Sequence, residues 1–250
     1  MVSSWLITGA SRGIGLSMVE NLLNDENNFV IATARNPSSS EGLKALSEKY
    51  PSSRLALVKL DVTKSDDIAK AVETITPLLP NGLDHFISNA GVFPQPLATF
   101  DELDLDELLH ELKFNTVSII EVTRALLPFI RKSEKKKIIF ISSILGSISV
   151  GGVWPGVANA YAISKASLNM LVRKWGSVLK MEGIAVSIVH PGWVATDLGD
   201  GVKPWMEKYN PDAAQIPSEE AAAGILKITN NLTLEDTTSF YSYDGTTIGW

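Results

Sequence analysis

Seven short apolar runs divide the chain: SWLIT (4–8), FVIATA (29–34), LALVKL (55–60), LDHFIS (83–88), IIFIS (138–142), AVSIVH (185–190) and SFYSY (239–243). Their lengths suit strands, and six of them run into Gly, Asp, Asn, Arg or Ser, where a strand ends. The segments between them carry apolar residues three or four positions apart. Examples are residues 14–23, 68–79 and 115–130, the last with Ile119, Ile120, Thr123, Leu126 and Leu127 on one side. Strands alternating with helices predict βαβ units, hence a parallel sheet of about seven strands covered on both faces. Right-handed crossovers wind such a sheet into a doubly wound α/β fold. No repeat, linker or low-complexity stretch interrupts the pattern, so residues 1–250 read as one domain.

Composition narrows the chemistry. The chain is 45% apolar and 20% charged, near the globular average, and its 250 residues can bury a sizeable core. A net charge of −6 leaves no basic excess to meet nucleic-acid phosphate. The one basic cluster, Lys135, Lys136 and Lys137, reads as a solvated turn ahead of a strand. There is no cysteine, which excludes disulfides, thiolate catalysis and Cys-ligated metal. His85, His110 and His190 share no metal-ligand spacing, so no metal is expected. The opening MVSSWLITGA lacks a basic leader region. Residues 138–164 carry no charge over the length of a membrane span, but serines, glycines, Pro155 and Asn159 break them up. A buried strand followed by a glycine-rich loop fits better. The expectation is a cytoplasmic protein with neither nucleic acid nor membrane as partner.

In a doubly wound sheet, ligands bind outside the carboxyl ends of the strands. The first strand runs into TGASRGIG, whose Gly9, Gly13 and Gly15 allow a tight turn and a close backbone approach at a helix N-terminus. Strand, glycine loop and helix in this order point to a dinucleotide and a Rossmann fold, with contacts from Gly9, Ser11, Arg12, Gly13, Ile14 and Gly15. The second strand ends in Ala34, Arg35 and Asn36, with no acid to bind the adenosine ribose hydroxyls of NAD. Arg35 and Arg12 can meet a 2′-phosphate instead, which favours NADP(H) over ordinary surface roles for both. Asp61 and Val62, after the third strand, suit the adenine ring, although Asp61 and Thr63 also suit a helix N-cap. Asn89, Ala90 and Gly91 follow the fourth strand, where small residues let the backbone approach the cofactor or form a tight loop.

The segment YAISK places Tyr161 and Lys165 on one helical face, either as packing and a solvated cation or as an acid and the cation that tunes it. Taken together, TGASRGIG, LDV, NAG, KFNTV, ISS, YAISK and HPGWVATD, in this order, resemble the short-chain dehydrogenases/reductases over essentially the whole chain. SSILGSI, HPGWVATDLG and the terminal YDGTTIGW are further similar to the group that contains Sniffer-like and C-factor-like carbonyl reductases and fungal norsolorinic acid ketoreductase-like proteins. The resemblance implies that Tyr161 protonates the substrate oxygen and that Lys165 lowers its pKa, which is about 10 in a free tyrosine, and holds the nicotinamide ribose. It implies that Ser143 donates to the same oxygen, with Ser142 as the alternative, and that Asn115 anchors a water linking Lys165 to solvent. Pro191, Gly192, Val194 and Thr196 would hold the nicotinamide amide.

The implied activity is NADPH-dependent reduction of an aldehyde or ketone. The alternatives are an NAD-dependent alcohol dehydrogenase and a catalytically weak NADP(H) sensor of the same fold. Ser143 and Tyr161 stand farther apart than is common in the family, so the loop 144–160 is expected to wall the substrate pocket or to be a surface insertion. Residues 198–217, with Gly199, Gly201, Pro204, Pro211 and Pro217, read as a mobile lid. Phe93, Trp154, Trp193 and Trp205 are the candidate apolar contacts for substrate. In many relatives the helix at 161–180 forms a dimer face, which implies a homodimer.

Overall fold

The computed structural model describes residues 2–250. Its frame is one parallel sheet of seven strands: β1 (Ser3–Ile7), β2 (Asn28–Ala34), β3 (Leu55–Lys59), β4 (His85–Ser88), β5 (Lys137–Ile141), β6 (Ala185–His190) and β7 (Phe240–Ser242). The order is β3-β2-β1-β4-β5-β6-β7. All seven apolar runs became strands, with ends shifted by at most two residues.

Because successive strand residues face opposite sides, the sheet feeds two cores. Leu6, Ile31, Phe86, Ile138, Phe140 and Ile188 pack against α3 (Ser65–Ile75), α5 (Ser118–Lys132) and α6 (Asn159–Met181). Trp5, Ile7, Val30, Ile87, Ile139 and Val189 pack against α1 (Gly13–Leu23), α2 (Glu41–Lys49) and α9 (Ser218–Asn231). Fully burying one such side chain contributes about 1.5–3 kcal/mol before entropy is counted. The near-continuous apolar strands therefore specify the two-sided sheet, and a one-residue slip would exchange the two cores.

Four local readings are corrected. Residues 115–130 do not form one regular helix: α4 (Leu105–Leu112) leads into a π-helical turn, Lys113–Val117, and then into α5. On α5 Val122 joins Ile119, Thr123, Leu126 and Leu127 on the buried side, whereas Ile120 is only half-buried. Lys137 is no solvated turn residue: it opens β5, and its ammonium donates to the Thr229 and Asn230 carbonyls at 3.1 and 2.6 Å. A cation thus caps the C-terminus of α9, while burial and then the Lys135 charge lower its pKa. Asp61 does not cap α3, whose N-cap is Lys64; it closes its own turn by accepting from the Thr63 N–H and hydroxyl at 3.1 and 2.7 Å. The uncharged residues 138–164 become most of β5, two short 3₁₀ turns and the start of α6, and among the described residues no helix is long and apolar enough to cross a membrane.

Candidate active site

The strand order reverses between β1 and β4, so the chains leaving these two strands part and open a crevice at their carboxyl ends. Gly9, with φ +67°, turns the chain there, and a Cβ on it would come within 2.9 Å of Ala90 Cα. A Cβ on Gly15 would lie 2.3 Å from the Gly9 carbonyl oxygen and 2.7 Å from Asn89 Nδ2. These two glycines are required by the packing of the loop itself. Asn89 Nδ2 donates to the Thr8 and Gly9 carbonyls at 3.0 and 3.1 Å, and Thr8 Oγ1 accepts the N–H groups of Asn89 and Ala90. Asn89 and Ala90 therefore brace the glycine loop from below.

The N-terminus of α1 follows. Arg12 holds the N-cap position in extended backbone, no side chain caps the helix, and its first turn has no acid. Its leading N–H groups lack partners within the helix, which is the donor set that a pyrophosphate takes. Arg35 is exposed just past β2, and no carboxylate among the described residues pairs with it. Arg12 is exposed too, but its guanidinium pairs with Asp197 across the crevice. Burial works against ionised Asp61, yet the Thr63 hydrogen bonds outweigh it and keep its pKa below the ordinary value. Val62 is buried in the core.

On the other side, α6 sets Tyr161 and Lys165 one turn apart, with Lys165 Nζ 5.4 Å from the Tyr161 ring centroid and donating to the Ile141 carbonyl at 3.0 Å. Ser143 Oγ accepts the Leu145 N–H at 3.2 Å, which leaves the hydroxyl proton free to be donated elsewhere. Ser142 Oγ instead donates to buried Asn169 Oδ1 at 2.6 Å. Asn115 sits in the π turn, wholly buried. Both Nδ2 protons are taken, by the Val92 carbonyl at 3.0 Å and Ser164 Oγ at 3.1 Å, and Oδ1 accepts the Val92 N–H at 3.0 Å. The amide thus ties the loop after β4 to α6. At Gly91 a Cβ would lie 3.6 Å from Asn115 Oδ1 and 3.9 Å from Lys165 Nζ, so Gly91 borders both groups.

Electrostatics differ from the expectation in one respect. Burial raises the Tyr161 pKa above its ordinary value, and the Glu111 charge pushes the same way. Burial lowers Lys165 to about 8, with Glu111 opposing. In the protein alone, desolvation outweighs any acidifying effect of Lys165 on Tyr161.

Tyr161, Ser142 and Ser143 line a cavity of about 250 Å³. All four aromatic candidates, Phe93, Trp154, Trp193 and Trp205, line it, with Leu145 and Val157 from the 144–160 loop. Phe93 packs on Tyr161 at a centroid distance of 4.4 Å. The expected lid contains two short helices, α7 (Asp197–Asp200) and α8 (Lys203–Tyr209), and lends Leu198, Val202 and Met206 to the cavity. Its base is stitched by bonds from Ala195 N–H to the Ile216 carbonyl and from Ile216 N–H to the Trp193 carbonyl, both 2.9 Å. Pro191, Gly192, Val194 and Thr196 also line the cavity, and Thr196 Oγ1 accepts the Gly199 N–H at 3.2 Å, capping α7.

Three residues at the site escaped the sequence reading. Asn169 Nδ2 donates to the Gly146 carbonyl at 3.0 Å, so one amide holds both Ser142 and the turn after Ser143. Gly146 itself lets that turn touch α6: a Cβ there would lie 2.7 Å from the Lys165 backbone. The third is Glu111, which has no exposed atom. Asn169 is spaced at 161 + 8, on the face of Tyr161 and Lys165, and that periodicity was the available signal.

Residues 4–207 match the family model described as short chain dehydrogenase. A short chain dehydrogenase of Penicillium aethiopicum is 34% identical over 256 residues, covering 100% of both chains. Among solved structures, an NADPH-bound carbonyl reductase from chicken fatty liver shares 32% identity with a TM-score of 0.87, over 100% of this chain and 99% of that one. The carbonyl reductase Sniffer of D. melanogaster shares 30% identity with a TM-score of 0.88, over 100% of both.

Proposed function

The chain belongs to the short chain dehydrogenases and is an oxidoreductase, and from that premise we propose that it is an NADPH-dependent carbonyl reductase acting on apolar aldehydes or ketones, aromatic ones included. The observation that carries this reading is the pairing of Tyr161 and Ser143 on one cavity whose remaining wall is largely aromatic and aliphatic. Such a wall accepts an apolar carbonyl compound and leaves its oxygen to the two hydroxyls.

NADPH bound in the crevice supplies the hydride. The uncapped N-terminus of α1 holds the pyrophosphate, and Arg35 meets the 2′-phosphate, with Arg12 joining when it leaves Asp197. Val194 and Thr196 hold the nicotinamide amide. Tyr161 gives its proton to the substrate oxygen while Ser143 donates a hydrogen bond to that oxygen. Burial keeps the phenol protonated throughout the neutral range, and the Lys165 ammonium, 5.4 Å from its ring centroid, stabilises the phenolate left after the transfer. Leu198, Val202 and Met206 from the segment of α7 and α8 add apolar surface to the cavity wall, which disfavours water there. The NADPH-bound chicken enzyme and Sniffer, both named carbonyl reductases, support the reading.

The test is a panel of aldehydes and ketones assayed with NADPH and with NADH. Turnover with a higher kcat/KM for NADPH is expected, as is loss of turnover in Tyr161→Phe by about 10²-fold or more with NADPH binding retained. Absence of turnover on the whole panel, or an equal or higher kcat/KM for NADH, overturns the proposal.

A further inference from the structure

Glu111 is the only buried residue of α4, and it is a carboxylic acid with no exposed atom. Among the described residues, neither carboxyl oxygen has a hydrogen-bond partner. The Gln95 backbone N–H favours the ionised form, yet it stops short of a hydrogen bond. A buried carboxyl group without a hydrogen-bond partner is costly, so an apolar residue would serve packing better. The position calls for a use other than packing.

Its surroundings suggest that use. Asn115 lies one turn further on, past the start of the π turn, and Thr116 Oγ1 donates to the Ser164 carbonyl at 3.0 Å. Ser164 belongs to the α6 turn that carries Tyr161 and Lys165, and its Oγ accepts from Asn115. The charged and titratable groups acting on Glu111 are Glu107 from its own helix and Lys165 from α6. Tyr161, also on α6, feels the Glu111 charge in turn. His110 is turned to the exposed side, where it faces Glu107 at 3.5 Å. Glu111 is thus a buried acid with the catalytic pair as its inward electrostatic neighbours.

We propose that Glu111 is the proton store of the site, resupplying Tyr161 through Lys165 after each reduction. The proposal rests on Tyr161 being the acid of carbonyl reduction. The protons balance in four steps. The Tyr161 O–H bond breaks as the product O–H forms. The phenolate takes a proton from the Lys165 ammonium. The Lys165 amine takes one from the Glu111 carboxylic acid. The Glu111 carboxylate regains its proton from solvent, so one solvent proton is consumed per turnover. Burial, reinforced by Glu107, raises Glu111 to about 7 against the pull of the Gln95 N–H and Lys165, and Lys165 is lowered to about 8. Neighbours matched this closely exchange a proton with little free-energy loss.

Glu111→Gln keeps the shape and removes the exchangeable proton. With a carbonyl compound that the unsubstituted protein reduces, kcat is expected to fall about tenfold or more, with KM and the NADPH dissociation constant within about twofold. The solvent deuterium isotope effect on kcat is expected to increase. Independently of turnover, infrared spectra of the protein with carboxyl-¹³C glutamate are expected to show a neutral glutamic acid band that disappears between about pH 6 and about pH 8.5, far above ordinary glutamate titration, and is missing from Glu111→Gln. Equal kcat in both proteins overturns the proposal, and so does the absence of a glutamic acid band titrating in that range. If Glu111→Gln does not fold, the infrared result on the unsubstituted protein decides. A protein that reduces no carbonyl compound but shows the band refutes the reading of Tyr161, not the placement of the buried acid.

Discussion

Ser142 and Ser143 leave β5 in succession and do different work. The Ser142 hydroxyl is spent on Asn169 Oδ1 within the core, whereas the Ser143 hydroxyl keeps a free proton over the cavity. Ser143→Ala is expected to lower kcat by about 10²-fold, the usual loss of one donor to a reacting oxygen, with little change in melting temperature. Ser142→Ala is expected to leave kcat within about threefold and to cost about 1–3 kcal/mol, because it strands Asn169 Oδ1 without its donor. Steady-state kinetics beside urea denaturation separate the two, and the reverse assignment of effects refutes the distinction. The family resemblance implied Ser143, with Ser142 as the alternative, and the Asn169 bond that separates the two hydroxyls was not legible in the chain. Tyr161, Lys165 and the glycine loop were legible because their spacing carries their meaning. Glu111 and Asn169 were not, because a single polar residue in an amphipathic helix looks like surface until the fold supplies the helix packed against it. Arg12 was legible as a cation, but its pairing with Asp197 joins positions far apart in the chain.

At the scale of elements, the site depends on contacts that no local pattern announces. The π turn at Lys113–Val117 shifts the register between α4 and α5, and such turns recur at functional sites. The periodicity of 115–130 gave the helix but not the extra residue in its turn. Gly146 belongs to the same class. Its backbone is ordinary, yet the approach of its turn to α6 leaves no room for a side chain. Gly146→Ala is expected to push the Ser143 turn away from Lys165, lowering kcat at least about tenfold and stability by about 1–3 kcal/mol. A variant with unchanged kcat would show that the turn yields without moving Ser143. The tail supports the same wall from outside: the Gly249 carbonyl accepts from Ser147 Oγ at 2.6 Å, the Trp250 carbonyl accepts the Ser149 N–H at 2.7 Å, and the Trp250 ring lies under the Arg173 guanidinium and beside Phe240. Trp250→Ala is expected to raise KM for bulky carbonyl compounds about threefold or more while sparing NADPH binding, because the 147–149 segment loses its anchor. Equal KM values across small and bulky substrates would rule this support out.

For the molecule as a whole, the order of strands and helices placed the crevice correctly, because a doubly wound sheet has one reversal point and the glycine loop marks it. What the order does not carry is the environment at the opposite end of the strands. There His85 stacks on Trp5 at 3.7 Å, its Nδ1 lies 3.3 Å from Ser3 Oγ, and 2% of it is exposed. Burial, then the Lys135 charge, lowers its pKa to about 3. A histidine in the unfolded chain titrates near 6.5, so between these values the unfolded state binds a proton that the folded state refuses, and stability falls as the solution is acidified. The slope is about 1.4 kcal/mol per pH unit for this one group. Glu111 acts in the opposite sense. Its folded pKa of about 7 lies above the unfolded value, so it favours the fold at low pH and loses that contribution as pH rises toward 7. Urea denaturation at intervals from about pH 7 to about pH 4 is therefore expected to show a steeper acid loss in Glu111→Gln than in the unsubstituted protein, and a shallower one in His85→Phe, which keeps the stack on Trp5. Parallel curves for His85→Phe and the unsubstituted protein would mean that His85 takes up its proton in the folded state as readily as in the unfolded one.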